Sequence, residues 1–211
     1  MKWPWQRKAG AAGEGAEVAL FPLGTPLLPG GRMSLKIFET RYLDLMTACL
    51  RHATPFGICM IERGSEVASP GAEPAVPHTV GTLASVEALD MREPGIMQVG
   101  VLGGRRFRID TRKVGSGGLQ RGTITLLDDS PCAVPERFAK LLPLLQTVLA
   151  DLGEARAPLP HHFDDAGWVG HRFVDVLPVQ ALAKQKLLEL DDPLSRLEII
   201  EKYLQQRGLV S

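Results

Sequence analysis

The segment from Leu20 to Leu50, LFPLGTPLLPGGRMSLKIFETRYLDLMTACL, leaves the chain few ways to fold. Leu20, Phe21 and Leu23 form an apolar run, and Pro22 confines it to a sheet edge or a strand end because proline cannot donate to a ladder. Pro26, Pro29, Gly30 and Gly31 then break the pattern, and the Gly-Gly pair can take the positive φ of a tight reversal. Met33, Leu35 and Ile37 alternate with Ser34, Lys36 and Phe38, a period of two that predicts a second strand with one row on a core. From Tyr42 the period becomes helical, with Tyr42, Leu45, Met46 and Cys49 on one stripe and Leu43 and Leu50 widening it. Glu39 suits the positive end of that helix dipole, and Arg51 and His52 suit the other. Glu39, Arg41 and Tyr42 are read as fixing how the helix leaves the sheet, since no nucleophile and base accompany them.

Further strands follow. Phe56 to Ile61 is apolar or small at every position, which predicts a strand covered on both faces. Gly64 to Thr79 is rich in Pro, Gly, Ala and Glu and is expected to be a long loop, with Pro70, Pro74 and Pro77 preventing regular structure; a loop of that length is functional or disordered. Val80 to Leu89 returns to strand. Gly103-Gly104, between Val99–Leu102 and Arg105–Ile109, predicts a two-residue hairpin turn. Gly115-Ser116-Gly117-Gly118 is expected to be another strand connection, followed by a strand over Leu119 to Leu127. Several short strands with one early helix suggest a strongly curved sheet or partial barrel.

The pattern changes near Asp128-Asp129-Ser130-Pro131. Phe138, Leu141, Leu142, Leu145, Val148, Leu149 and Leu152 make a helical stripe that Pro143 should break or kink near Leu142. A helix is predicted over His162 to Val176, with Phe163, Ala166, Gly170, Phe173 and Val174 inward, and another after Pro178 carrying Val179, Leu182, Ala183, Lys186, Leu187 and Leu190. A last helix should start at Asp192 as N-cap and Pro193, bury Leu197, Ile200 and Leu204, and end at Gly208. The organisation expected is a flexible leader over residues 1–17, a β-rich part over 18–130 and a helical bundle over 131–211.

The 24 basic and 24 acidic residues cancel, so no net field draws the chain to nucleic acid or an anionic membrane. The leader lacks the apolar stretch of a signal peptide, and no run reaches the length of a membrane span. Cys49, Cys59 and Cys132 are odd in number and without CxxC spacing, which with no export signal points to a reducing cytoplasm.

PLGTPLLPGG followed by LKIFETRY resembles the opening motif of the LON substrate-binding domain, the amino-terminal module of the Lon protease, which also occurs alone in short bacterial proteins. FGICMI, VGTLASVEAL, GVLGGRRFRI and KQKLLELDDPLSRLEII are similar to later blocks of the family in the same order. Ser34 and Thr40 stand where the family commonly has proline, which implies a less rigid strand edge and helix start. The resemblance implies an α+β fold, a β-rich PUA-like pseudobarrel followed by a C-terminal helical bundle. It also implies a non-enzymatic polypeptide-binding role related to an ATP-dependent protease. Neither a GxxxxGK[ST] phosphate loop nor the family's serine-bearing peptidase segment is present in the sequence.

Recognition of unfolded chain needs accessible apolar surface, and the candidate contacts are Leu27, Leu28, Met33 and Phe38, with the junction between sheet and bundle. The expected partners are client polypeptides, with a separate protease receiving them in an adaptor variant; no cofactor, catalytic residue or metal is expected. His161, His162, Asp164, Asp165 and His171 could hold a metal, but solvation and helix capping are the preferred roles. Arg105, Arg106, Arg108, Arg112 and Lys113 around Phe107 open an RNA-binding alternative, against which stands pairing of these arginines with Glu87, Asp90 or Asp110.

Overall fold

The computed structural model describes residues 15–66, 73–115 and 117–210. The expected leader thus lies largely outside the described residues, and the first strand begins at Ala16. Among the described residues the elements run β1 (Ala16–Leu23), β2 (Arg32–Ile37), α1 (Thr40–His52), β3 (Phe56–Arg63), β4 (Val76–Glu93), β5 (Ile96–Val114) and β6 (Gln120–Leu126). A 3₁₀ turn (Glu136–Leu141) leads into α2 (Leu142–Leu152), and α3 (Ala166–Val176), α4 (Ala181–Glu189) and α5 (Pro193–Gln206) complete the chain. No helix of the described residues is long and apolar enough to cross a membrane.

The six strands lie in the order β2-β5-β4-β3-β1-β6, and β6 returns to pair with β5. Five strands therefore close on themselves, and β5 is the seam. Its first half pairs with β2, from Met97 opposite Ile37 to Leu102 opposite Arg32. Its second half pairs with β6, from Phe107 opposite Leu126 to Val114 opposite Gln120. β2 is left on an edge, where exposed Arg32, Ser34 and Lys36 discourage pairing with another chain. Pro22 sits at the end of β1 beyond its pairing with β6 and faces Cys59 of β3, so its missing donor breaks no ladder.

Gly103-Gly104 is not a turn. β4 and β5 reverse at Pro94-Gly95, with Gly95 at φ +79°, and β5 runs unbroken through both glycines. The register between β4 and β5 shifts between the Thr82–Arg106 and Ala84–Gly103 pairs, so β5 carries an extra residue there. That bulge bends β5 where it exchanges β2 for β6 as its second neighbour. The loop after β1 docks on the same point: Gly30 N–H donates to the Gly103 carbonyl and Gly103 N–H to that of Gly31, both at 2.8 Å. A Cβ on Gly103 would lie 2.2 Å from the Leu28 carbonyl oxygen. The pair of glycines is present for close approach of backbone, not for reversal. Pro77 likewise lies within β4, opposite Ile61 at an irregular register, a bulge being where a strand tolerates proline.

The closed strands bury Val18, Leu20, Cys59, Leu83, Phe107 and Ile124 between them. On the other face α1 covers the sheet with Tyr42, Leu45, Met46 and Cys49, packed against residues including Phe21, Phe56, Val99 and Val101. β3 is thus covered on both sides, as its uniform apolar sequence predicts. Each buried aliphatic side chain of this stripe contributes about 1.5–3 kcal/mol. Arg41 donates to the Gly118 carbonyl at 2.7 Å and to Glu39 at 2.8 Å, tying the start of α1 to the β5–β6 connection. Ser34 accepts from Gln98 of β5 at 2.6 Å and so secures the edge strand by a side-chain bond.

The helices enclose a third core that includes Phe138, Leu145, Phe173, Leu188, Leu197 and Leu204, to which the sheet half adds Leu28, Val80 and Leu127. Pro143 stands in the first turn of α2, so the predicted break at Leu142 is the change from 3₁₀ to α geometry. α3 starts at Ala166 rather than His162, because the Asp165 side chain accepts from Gly167 N–H and caps the helix there. In α4 the buried positions are Gln185 and Leu188, while Leu182 is exposed, so the inward face differs from the one its leucines suggest. α5 begins as expected, with the Asp192 carboxylate accepting from Leu194 and Ser195 N–H, and Gly208 follows it at φ +68°.

Candidate functional site

The sheet and the bundle are fastened by buried polar side chains. Arg106 of β5, fully buried, donates to the Leu188 carbonyl at 2.7 Å and the Leu190 carbonyl at 3.0 Å beyond the end of α4, and pairs with Asp129 at 2.8 Å. Gln185 of α4 donates to the Val80 carbonyl of β4 at 3.0 Å. Arg172 of α3 donates to the Pro29 carbonyl at 2.5 Å and to Asp175 at 3.0 Å, which holds the Pro29–Gly31 loop against the bundle. Arg196 of α5 donates to the Leu187 carbonyl at 2.9 Å and also to that of Leu190. Burial pushes the Arg196 guanidinium down to about 10, and Arg106 nearby adds to the effect. Arginine suits these places because its five donors form a planar fork that several carbonyls can share.

This geometry changes the roles expected for the arginines. Arg106 does not stand on an outer face, and its carboxylate partners are Asp129 and Asp191, not Glu87, Asp90 or Asp110. Glu87 pairs with Arg32 at 2.7 Å, and Asp110 accepts from Thr125. Arg105 donates to the Leu127 carbonyl, and Arg112 to the Ala75 carbonyl and Gln120. Within the His/Asp cluster, His161 contacts the Ala157 carbonyl, Asp165 caps α3, and His171 is buried within α3.

Of the four apolar residues singled out in the sequence, Leu27 (2% exposed) and Leu28 (1%) are core residues. Leu27 belongs to the core under α1 and Leu28 to that of the helices, so the loop carrying them joins two cores and presents neither side chain to a partner. Met33 is partly buried on β2, and Phe38 is 52% exposed between β2 and α1. They do not make one surface. The Gly64 to Thr79 loop is shorter than expected, since β4 begins at Val76, and residues 67–72 of it lie outside the described residues.

Exposed apolar side chains occur in both halves, Phe38, Leu50, Met91 and Val114 among them in the sheet half, but an apolar groove lies in the bundle. The groove, of about 480 Å³, is lined by Leu177, Val179, Leu187, Leu190, Ile199 and Tyr203, with Ala183 and Ile200 between them. Ile199 is 46% exposed there. Lys186 and Glu189, paired at 2.9 Å, also line it. Its size falls in the range of ligand-binding clefts, and its wall offers side chains of varied shape with little polar demand. A second opening, of about 350 Å³, lies at the junction itself and is lined by Asp128, Asp129, Cys132, Asp165, Trp168, His171, Asp191, Asp192 and Arg196 among others. Burial pushes the His171 imidazole well below its ordinary range, and Arg196, Arg106 and Arg172 add to the shift, so the ring is neutral. Burial raises the Asp165 carboxyl, an effect its bonds from Cys132 and Gly167 N–H oppose.

The family model for the substrate-binding domain of the ATP-dependent protease La (LON) matches residues 17–206. The chain belongs to the LON substrate-binding domain family. A solved structure described as a Lon N-terminal domain protein from Xanthomonas campestris is similar at 32% identity and a TM-score of 0.73, covering 89% of this chain and 98% of its own. The N-terminal domain of a Mycobacterium avium complex Lon protease has the same fold at 18% identity and a TM-score of 0.62, covering 90% and 98%. No curated protein sequence matches. LON membership accounts for the α+β pseudobarrel with its helices, and for a substrate-binding module as the coarse description of what the chain does.

Proposed function

We propose that this LON domain is a non-enzymatic module that holds exposed apolar segments of other polypeptides in the groove between α4 and α5. The observation that carries the reading is the groove itself, apolar and open, with Ile199 half-exposed, in a family described by substrate binding. An unfolded segment gains about 25 cal/mol for each Å² of apolar surface it buries there, and it loses conformational freedom on docking. Weak, exchanging binding suits a surface that must accept many sequences and release them. Delivery of the held segment to a separate protease, in a reducing cytoplasm that keeps Cys49, Cys59 and Cys132 as thiols, is the companion proposal. An RNA reading loses two of its residues, since Arg106 is spent on carbonyls and carboxylates inside the protein and Phe107 is fully buried.

The test is a titration of fluorescently labelled, permanently unfolded protein followed by anisotropy, with Ile199→Glu alongside. Saturable binding that Ile199→Glu weakens at least about fivefold, with an unchanged melting temperature, supports the proposal. Equal binding by the variant removes the groove from the account. Cleavage of the unfolded protein by the purified chain alone contradicts the non-enzymatic reading.

A further inference from the structure

Residues 1–14, MKWPWQRKAGAAGE, lie outside the described residues and carry Trp3 and Trp5, two of the three tryptophans of the sequence. After Trp5 every residue of that stretch is polar, charged or small. A tryptophan can bury about 150–250 Å², more than such neighbours can cover. Burial of the pair therefore calls for an apolar surface elsewhere.

The groove between α4 and α5 suits an indole in its polar as well as its apolar groups. Val179, Leu187, Leu190 and Ile199 supply apolar wall, and the polar side chains along it are Lys186, Glu189 and Tyr203. A buried indole N–H seeks an acceptor, which the Glu189 carboxylate and the Tyr203 hydroxyl both offer. The Lys186 ammonium is a cation that an indole face attracts. An aliphatic segment would use the wall and none of these three groups. Pro4, between the tryptophans, has its φ fixed in advance, so docking orders fewer backbone rotations.

The point where the leader joins the fold puts the groove within its reach. Gly15 N–H donates to the Ile124 carbonyl of β6, Ile124 pairs with Ile109 of β5, and Arg108 beside it pairs with Val80 of β4. The Val80 carbonyl accepts from Gln185 of α4, the helix that forms one wall of the groove. Three strand spacings of about 4.8 Å and the width of one helix, about 10–12 Å, put Gly15 within about 30 Å of the groove. Trp5 stands ten residues before Gly15, and ten residues span up to about 33–36 Å.

We propose that the chain's own leader occupies the groove through Trp3-Pro4-Trp5 in the client-free protein, and that a client enters by displacing it. This inference rests on the polypeptide-binding reading and adds how that site is regulated. A tether of this length holds the segment at an effective concentration of about 1 mM, so a segment with a Kd of about 0.25 mM lowers the apparent client affinity about fivefold.

The test compares the full chain with its Trp3→Ala, Trp5→Ala double variant, whose substitutions lie outside the folded elements. Acrylamide quenching, taken as the difference between the two proteins so that Trp168 cancels, should show leader indoles that are shielded at every protein concentration and released by a saturating tryptophan-free unfolded protein. The double variant should bind that unfolded protein about fivefold tighter than wild type, and a synthetic peptide of residues 1–14 at millimolar concentration should reverse the gain. Leader indoles quenched as readily as those of the free peptide, or equal client affinity of the two proteins, overturns the proposal and leaves the groove reading standing. Shielding that disappears on dilution assigns the groove to the leader of a second copy and overturns occupancy within one chain. Ile199→Glu in the double-variant background separates the two claims: unchanged client binding there means that clients do not use the groove, and the reading on which this inference rests falls.

Discussion

Substituting Gly103 tests how the pseudobarrel is built. The Cβ of Gly103→Ala would lie 2.2 Å from the Leu28 carbonyl oxygen and 3.1 Å from its carbon, so backbone, not a flexible side chain, must move. A carbon and an oxygen in ordinary contact stand more than about 3 Å apart, so the loop must retreat by about 1 Å. That displacement strains both 2.8 Å bonds joining the loop to Gly103, each worth about 1 kcal/mol net, and adds overpacking of about 1–3 kcal/mol. The expected loss is about 3–5 kcal/mol. Gly100→Ala in the same strand is the control: its nearest neighbour is the Ala88 Cβ at 3.4 Å, an ordinary contact, and it should change stability by less than about 1 kcal/mol. Urea unfolding followed by circular dichroism reads both, with a shift in midpoint and an unchanged slope. If Gly103→Ala costs no more than Gly100→Ala, the loop does not bear on β5 as described.

Three further outcomes follow from the buried polar and sulfur groups. Arg106→Met takes the buried guanidinium away from Asp129 and leaves the Leu188 and Leu190 carbonyls short of a donor, and should cost about 3–5 kcal/mol; adding Asp129→Asn should recover part of it in the same urea assay. Sheet and bundle share the arginine, so tryptophan fluorescence and circular dichroism should report one transition. Burial raises the Cys49 and Cys59 thiols, so a thiol reagent at neutral pH should modify Cys132 first and the other two only on unfolding, as read by mass spectrometry of timed samples. His171 and His162 are held below their ordinary values by burial, so the unfolded chain binds protons that the folded chain refuses. Stability should therefore fall as pH drops below about 6.5, by up to about 1.4 kcal/mol per pH unit for each histidine, and His171→Asn should flatten the midpoint-versus-pH curve.

Much of this architecture is legible in the residues because local and tertiary preferences agree. The two-residue period of Met33 to Ile37, the stripe from Tyr42 to Cys49, the Pro143 break and the Asp192-Pro193 start all appear where local chemistry places them. Gly103-Gly104 does not, because glycine serves both positive φ and close backbone approach, and the loop that needs the space is about 70 residues away in the chain. The same holds for Arg106: alternation with Phe107 places it outside a two-layer sheet, but a helical bundle covers that outside and turns it into an interior. Leu27 and Leu28 look available only until their two cores are seen. The groove had a faint signal, since Ile199 and Tyr203 fall beside the Leu197, Ile200 and Leu204 stripe and widen the apolar surface of α5 beyond what one core covers. The opening at the junction had none, as its aspartates, Trp168 and His171 come from three separate stretches of chain.

Hydrogen–deuterium exchange of the full chain, with and without a saturating unfolded polypeptide, addresses the central claim most directly. Slowed exchange confined to Leu177–Leu190 and Ile199–Tyr203, with the β2–α1 corner around Phe38 unchanged, is the pattern that binding in the groove produces. Protection around Phe38 with α4 and α5 unaffected would contradict it.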